Sequence, residues 1–363
     1  MLINELLNNE IILVPDVWWS PKIEFTQIQN VKNAFLDMIQ KATVLNIQNV
    51  ADYYYVTSDQ EYWYIKDFPQ PVSPWVLGWF EYKMPLIINS REFGIRKRIP
   101  QSNELWIERV GQLLITYEFK KDWDKETYLK NVEKFLNLVL VGCSKGLEEN
   151  YFINILRSGE HRENRKIRWI LEIFTITKAI LHDPSTGWET KAYLHNICCF
   201  VFMDEDGFIL ETDDSVGIVY KNMLSPPEDF SSETFKNFVT FFAPHRNCLL
   251  LALSFINCRN VHIVENIADA KAQKAREKKH KKPLLTYYTL KIDPIKKVLE
   301  HTRKTEKCGL KQALHICRGH FKDFRRGPGL FGKYKDIYWW NQYLRGSGKE
   351  GVILKDYELG GKQ

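Results

Sequence analysis

The sequence predicts an α+β protein: an aromatic, strand-rich N-terminal part, a helical middle, and a small, mainly antiparallel β region at the C-terminal end. Three observations carry this. Aromatic clusters broken by prolines fill residues 1–120, helical apolar intervals follow, and short strand-like runs punctuated by Gly and Pro come last. With 363 residues, 44% of them hydrophobic, the chain is long enough for two or three cores. Its 21 Phe, 17 Tyr and 11 Trp exclude disorder as the dominant state, because so much apolar ring surface drives collapse.

Taken in order, Trp18-Trp19, Tyr53-Tyr54-Tyr55, Tyr62-Trp63-Tyr64 and Trp75 to Phe80 suit a half-buried pleated surface, and Pro69, Pro71 and Pro74 keep the strands short. Between Ile28 and Ala42, the stripe Val31, Ala34, Phe35, Met38 and Ile39 has helical spacing. The segments Lys125 to Val141 and Asn164 to Leu181 show the same spacing. The second should stop at His182-Asp183-Pro184, since the residue before proline resists helical geometry. Asn196 to Met203 reads as a buried strand. Asp204-Glu-Asp-Gly207 reads as a hairpin turn, because it lacks the ligand spacing of a calcium loop. A further helix opens at Ser231-Ser232 and is expected to break at Pro244. Short strands then follow over Leu284 to Ile292, Ala313 to Phe324, Lys335 to Leu344 and Val352 to Tyr357.

Charge divides the chain more sharply than its net value of +6 implies. From Lys271 onward there are 24 Lys plus Arg against 9 Asp plus Glu, whereas the first 270 residues hold 27 against 36. Lys271 to Lys282 has seven cations in twelve positions and no large apolar residue. It cannot join a core, so it reads as an exposed helix or mobile linker able to contact phosphates. The organisation expected is an aromatic and helical region over 1–265, a basic linker or arm over 266–283, and a basic, mainly β region over 284–363. A basic region gathers polyanions, RNA or DNA first among them.

Several chemistries are excluded by missing motifs. There is no phosphate loop ending in Gly-Lys-Ser/Thr, no Gly-x-Gly-x-x-Gly, no His-Glu-x-x-His and no Gly-x-Ser-x-Gly. The scattered, odd number of cysteines fits no disulfide framework, and no run is long enough to span a bilayer. The start lacks a basic, cleavable leader, so a cytoplasmic protein without membrane partners is expected.

One constellation is dense: His315-Ile-Cys-Arg318-Gly319-His320-Phe-Lys322. On an extended strand Arg318, His320 and Lys322 share one side, with His315 and Cys317 on the other; a bulge at Gly319 would bring the two sets together. Metal-independent RNA cleavage needs a base, an acid and cations for the phosphorane, which His315, His320, Arg318 and Lys322 could supply. The same residues could equally bind phosphate or hold strands together. Nucleic acid would also meet Lys278, Lys279, Lys281, Lys282, Arg325, Arg326, Lys333 and Arg345. Cys308, His315, Cys317 and His320 match no usual zinc spacing, so neither metal nor cofactor is expected.

The residues also carry a resemblance. Leu253-Ser-Phe-Ile-Asn-Cys-Arg-Asn-Val261, the basic stretch, Gly309 to Phe324, Leu330-Phe-Gly-Lys333, Tyr338-Trp339-Trp340, Leu344-Arg-Gly346 and Val352 to Tyr357 form a series. It resembles a family of proteins from phages and mobile elements. More distantly, it is similar to type V-A anti-CRISPR proteins that silence expression of their target nuclease. These share a His-x-x-Arg-Gly-His-aromatic strand followed by a Trp-bearing strand. The resemblance covers residues 250–357, where His315, Arg318, Gly319 and His320 match position by position, with Trp339 and Arg345 beside them. It implies recognition of a nascent peptide by the front of the chain and engagement of mRNA or the ribosome by the basic end. It carries over no peptide-binding residue. The readings left open are such a silencer, a metal-independent endoribonuclease, and a non-catalytic nucleic-acid-binding accessory protein.

Overall fold

The computed structural model describes residues 1–15, 25–57, 68–84, 105–119, 167–183, 187–216, 232–267, 269–279, 285–292, 313–317, 319–340, 343–345 and 347–352, with a few isolated positions between them. The protein is a mixed α and β structure in two compact units. One comprises Met1–Ile256 with Ile263–Leu290, the other Asn257–His262 with Lys291–Gln363.

A nine-stranded mixed sheet organises the first unit. Its strands are β1 (Leu13–Pro15), β2 (Thr43–Asn46), β3 (Leu77–Lys83), β4 (Leu105–Glu118), β5 (Trp169–Asp183), β6 (Gly187–Met203), β7 (Ile209–Val216), β8 (Val261–Asn266) and β9 (Tyr287–Ile292). They lie in the order β1-β6-β5-β4-β3-β2-β9-β8, with β7 also on β6. Strands β3 to β7 form an antiparallel meander, while β1 on β6 and β2 on both β3 and β9 are parallel. The described helices are α1 (Leu2–Leu7), α2 (Phe25–Lys41), α3 (Gln48–Thr57), α4 (Ser232–Ile256) and α5 (Ala270–Glu277).

Strand alternation sorts the sheet into two buried faces. Trp79, Leu113, Phe174, Ile176, Phe200 and Phe202 share a core with Leu2, Ile3 and Leu6 of α1 and Phe35 and Ile39 of α2. Phe35 meets Phe174 edge to face at 5.0 Å, a preferred aromatic geometry. The alternate residues, Phe80 and Tyr82 on β3 among them, turn toward α3 and α4.

A buried carboxylate ties α1 to the first face. The opening N–H groups of a helix have no partner within it. Here Leu2 N donates to Glu81 Oε1 at 3.1 Å and Ile3 N to Oε2 at 3.0 Å, while Trp79 Nε1 donates to Oε2 at 2.9 Å. Glu81 is 1% exposed, and Arg109 Nη1 stands 3.8 Å from it. A carboxylate at that depth is tolerated because each oxygen is hydrogen-bonded and a cation is close.

Several expectations hold. The helix expected over 28–42 is α2, the strand over 196–203 ends β6, and the turn at 204–207 joins β6 to β7. In that turn Asp204 accepts from Asp206 N and Phe208 N, and Gly207 takes φ +79°. Elsewhere the structure differs. The helix expected over 164–181 is not found in its described part; Trp169–Asp183 is β5, a central strand covered on both faces. Such a strand reads as a continuous apolar run whose period does not separate strand from helix. Tyr53, Tyr54 and Tyr55 lie on α3 rather than on a strand, because Tyr54 and Tyr55 are core residues, 1% and 4% exposed.

Pro244 does not break α4, which runs unbroken from Ser232 to Ile256. Proline removes one helical hydrogen bond at a cost of about 3 kcal/mol. The turn that follows, Cys248 to Ser254, is fully buried and offsets that cost. Strand β9, expected in the C-terminal sheet, instead pairs with β2 in the large one. Trp18, Trp19, Tyr62 to Tyr64 and nearly all of 125–141 lie outside the described residues.

The register makes one glycine indispensable. Gly111 lies opposite Glu81, and a Cβ there would overlap the six-membered ring of Trp79 and press on Leu2. Gly111→Ala should lower the unfolding free energy by about 1–3 kcal/mol, read as a reduced urea midpoint; an unchanged midpoint would show that Trp79 can move aside.

Candidate nucleic-acid interface

The second unit is built on β10 (Ala313–Cys317), β11 (His320–Asp323), β12 (Ile337–Trp340), β13 (Tyr343–Arg345) and β14 (Ser347–Val352). β11 pairs antiparallel with β12; β10 pairs antiparallel with β13 and parallel with β14. Of the strand expected at 352–357 only Val352 is described, as the last residue of β14, and 353–357 lie outside the described residues.

His315 pairs with Arg345 between β10 and β13, and His320 pairs with Trp340 between β11 and β12, in two separate sheets. The bulge expected at Gly319 would involve Arg318 and the residues opposite it, which lie outside the described residues. Arg318 lies outside the described residues, as do Lys281 and Lys282. Only the backbone positions of His315 and Arg345 are described.

Aromatic packing fixes the rest of the hairpin. Trp339 and Tyr338 are 2% and 1% exposed. Phe321 packs edge to face on Trp339 at 4.8 Å, and Phe324 sits against Tyr338 and Trp340 at 6.1 and 5.9 Å. On the side shared by 320, 322, 338 and 340, Lys322 Nζ stands 4.6 Å above the Trp340 ring. That cation–π contact keeps the Lys322 charge at the surface beside half-buried His320.

The polar stretch after α4 is a clamp for β12. The Asn260 side-chain amide donates to Trp339 O and accepts from Trp339 N, both at 2.9 Å, and Arg259 N donates to Ile337 O at 2.9 Å. Asn260 is 1% exposed and takes the place of a neighbouring strand. Arg259 also pairs with Asp336 at 3.0 Å. The structure gives this stretch a positioning role. Replacing Asn260 by Ala should leave two buried backbone groups unpaired and cost about 2–4 kcal/mol. Hydrogen exchange at Trp339 would show it, and unchanged protection would rule the clamp out.

Beyond β11, Asp323 holds Arg325 through its backbone N and through Nε and Nη2, at 2.7 to 3.1 Å. Partial burial pushes the Asp323 carboxyl up, but the Arg325 hydrogen bonds and charge hold it below its ordinary range. Arg325, expected to meet nucleic acid, is thus engaged within the loop. Arg326 and Lys333 are exposed there, as is Lys335. In the first unit Lys278 and Lys279 are exposed just after α5, whose Asp269 caps the helix by accepting from Lys271 N.

The first unit holds two further arrangements not legible in the sequence. A cavity of about 620 Å³ is lined by Met1, Asn4, Glu265, Asn266, Ile267, Asp269, Leu285 and Tyr287. It has the size of a ligand pocket, and its charged side chains, Glu265 and Asp269, are acidic. The other is a sealed polar cluster between the sheet and α4. Tyr55 Oη and Tyr82 Oη are 3.1 Å apart, and each lies 2.8 Å from His245 Nδ1. Tyr54, Tyr55 and Tyr82 are all buried.

Burial, aided by nearby His195, pushes the His245 pKa down to about 3. An unfolded imidazole titrates near 6.5. Between those values the unfolded chain binds a proton that the folded one refuses, so this contribution is intact above pH 6.5 and falls on acidification. The slope is at most about 1.4 kcal/mol per pH unit. Urea titrations at pH 7, 6 and 5 should show this loss in the wild type and its absence in His245→Gln; equal slopes would contradict it.

Among the described residues no group of three His, Cys, Asp or Glu side chains could hold a metal ion, and no helix is long and apolar enough to cross a membrane. No protein-family model, no curated protein and no solved structure matches the chain.

Proposed function

We propose that the protein is a cytoplasmic expression silencer of mobile-element origin. Its front part recognises a protein segment as it is synthesised, and its basic C-terminal part engages the mRNA or the ribosome. The observation that carries this reading is the hairpin loop of the second unit. There Arg326, Lys333 and Lys335 are exposed, while the acids Asp323 and Asp336 are each held by an arginine. That arrangement presents positive charge to a phosphate backbone. The acidic cavity of the first unit supports the other half, since its charge suits a basic, partly apolar peptide rather than a polyanion.

We favour binding over cleavage, because the exposed cations of the loop account for phosphate contact without an acid–base pair. In chelator, labelled single-stranded RNA should be bound and left intact. Cleavage by the wild type but not by the His315→Ala/His320→Ala double variant would replace this reading with a metal-independent ribonuclease.

The salt dependence tests the interface. Substituting Arg326, Lys333 and Lys335 together by Ala should make log affinity fall less steeply with log salt, by about 2 in slope. For a silenced target, synonymous recoding of its mRNA should leave silencing in place, and changing its first amino acids should release it. The reverse pattern would make the message itself the recognised feature.

A further inference from the structure

We infer that Phe331, at the tip of the C-terminal hairpin, is a nucleobase-stacking residue that gives this interface its preference for single-stranded nucleic acid. The inference rests on the nucleic-acid reading above and names the form of polymer that the site takes.

Phe331 is 58% exposed, the one large hydrophobic residue so exposed among the described residues of the second unit. Its placement is enforced. Leu330 N donates to Tyr334 O at 2.8 Å, Tyr334 N to Leu330 O at 3.1 Å, and Lys333 N to Leu330 O at 3.1 Å. These bonds close a tight turn whose central residues, Phe331 and Gly332, have φ of +53° and +70°. A turn with both central φ values positive is ordinarily made by Asn-Gly or Asp-Gly, because a side chain larger than these is strained there. Here a phenyl ring occupies the strained position and points its apolar surface at solvent. Neither turn formation nor core packing accounts for a Phe at that place.

Its surroundings say what the ring meets. Lys333 is two residues on and Lys335 four, both exposed, and exposed Arg326 lies on the other limb of the same loop. A ring among cations suits a ligand that is anionic along its backbone and flat and apolar along its bases. Such a ligand is a single strand, whose bases are free to leave the stack. One ring buries too little area to anchor a folded protein, and the flanking positive charge favours a polyanion.

The turn itself supplies a clean variant. Phe331→Asn keeps a residue suited to the left-handed position, so the hairpin should form as before, which circular dichroism and thermal unfolding of the full chain would confirm. In fluorescence anisotropy with a labelled uridine 12-mer, Phe331→Asn should bind about tenfold or more weakly than the wild type. Its salt slope should be unchanged, and Phe331→Tyr should restore affinity. With an abasic 12-mer of the same length, the wild type and Phe331→Asn should bind alike.

If Phe331→Asn binds the uridine strand as tightly as the wild type while the Arg326, Lys333 and Lys335 substitutions weaken it, stacking is overturned and the phosphate interface stands. If the wild type binds no single-stranded RNA or DNA, the nucleic-acid reading itself fails. Binding instead to phosphatidylserine vesicles, lost in Phe331→Asn, would make the tip a membrane wedge and overturn the inference.

Discussion

Glu81 sets the terms on which the first unit folds. A carboxylate 1% exposed in the middle of a sheet is stable only while its donors are in place, and two of those donors are the opening N–H groups of α1. The helix needs the acid as much as the acid needs the helix. Their mutual dependence extends sideways: Trp79 donates to the same carboxylate, and its ring lies where Gly111 has no side chain. One strand, β3, thereby commits the first face of the sheet through Trp79 and Glu81. Through Tyr82 and its bond to His245 it commits the second.

How much of this the sequence discloses depends on what each segment is asked to bury. Helix α2 is legible because only one side of it meets the core, which leaves Phe35 and Ile39 as a clear stripe. The end of β6 and its turn are legible because Asp204 and Gly207 have local chemistry that needs no distant partner. β5 misleads because both of its faces are covered, which erases any alternation. Tyr54 and Tyr55 mislead for a related reason: aromatic residues favour strands on average, but here the space between β3 and α4 decides.

The C-terminal interface was legible in charge and obscure in shape. Composition places the cations, and Arg326 and Lys333 do stand exposed. It does not show that Asp323 occupies Arg325, or that His320 lies across from Trp340. Both depend on strand pairing across the loop. The Trp340 ring beneath Lys322 is hidden in the same way. A cation that looks solvated in one dimension is part of an aromatic surface in three.

The interleaving of the two units along the chain bears on how the protein is made. Asn260 must wait for Trp339, 79 residues later, before its amide has a partner. The segment carrying α5 and β9, synthesised between them, belongs to the other unit. β2, formed near the start of translation, has one edge open until β9 emerges. Each unit is therefore completed only after the segments that interleave with it have been made. A prematurely terminated chain would display bare strand edges of the kind that associate with other unfinished chains.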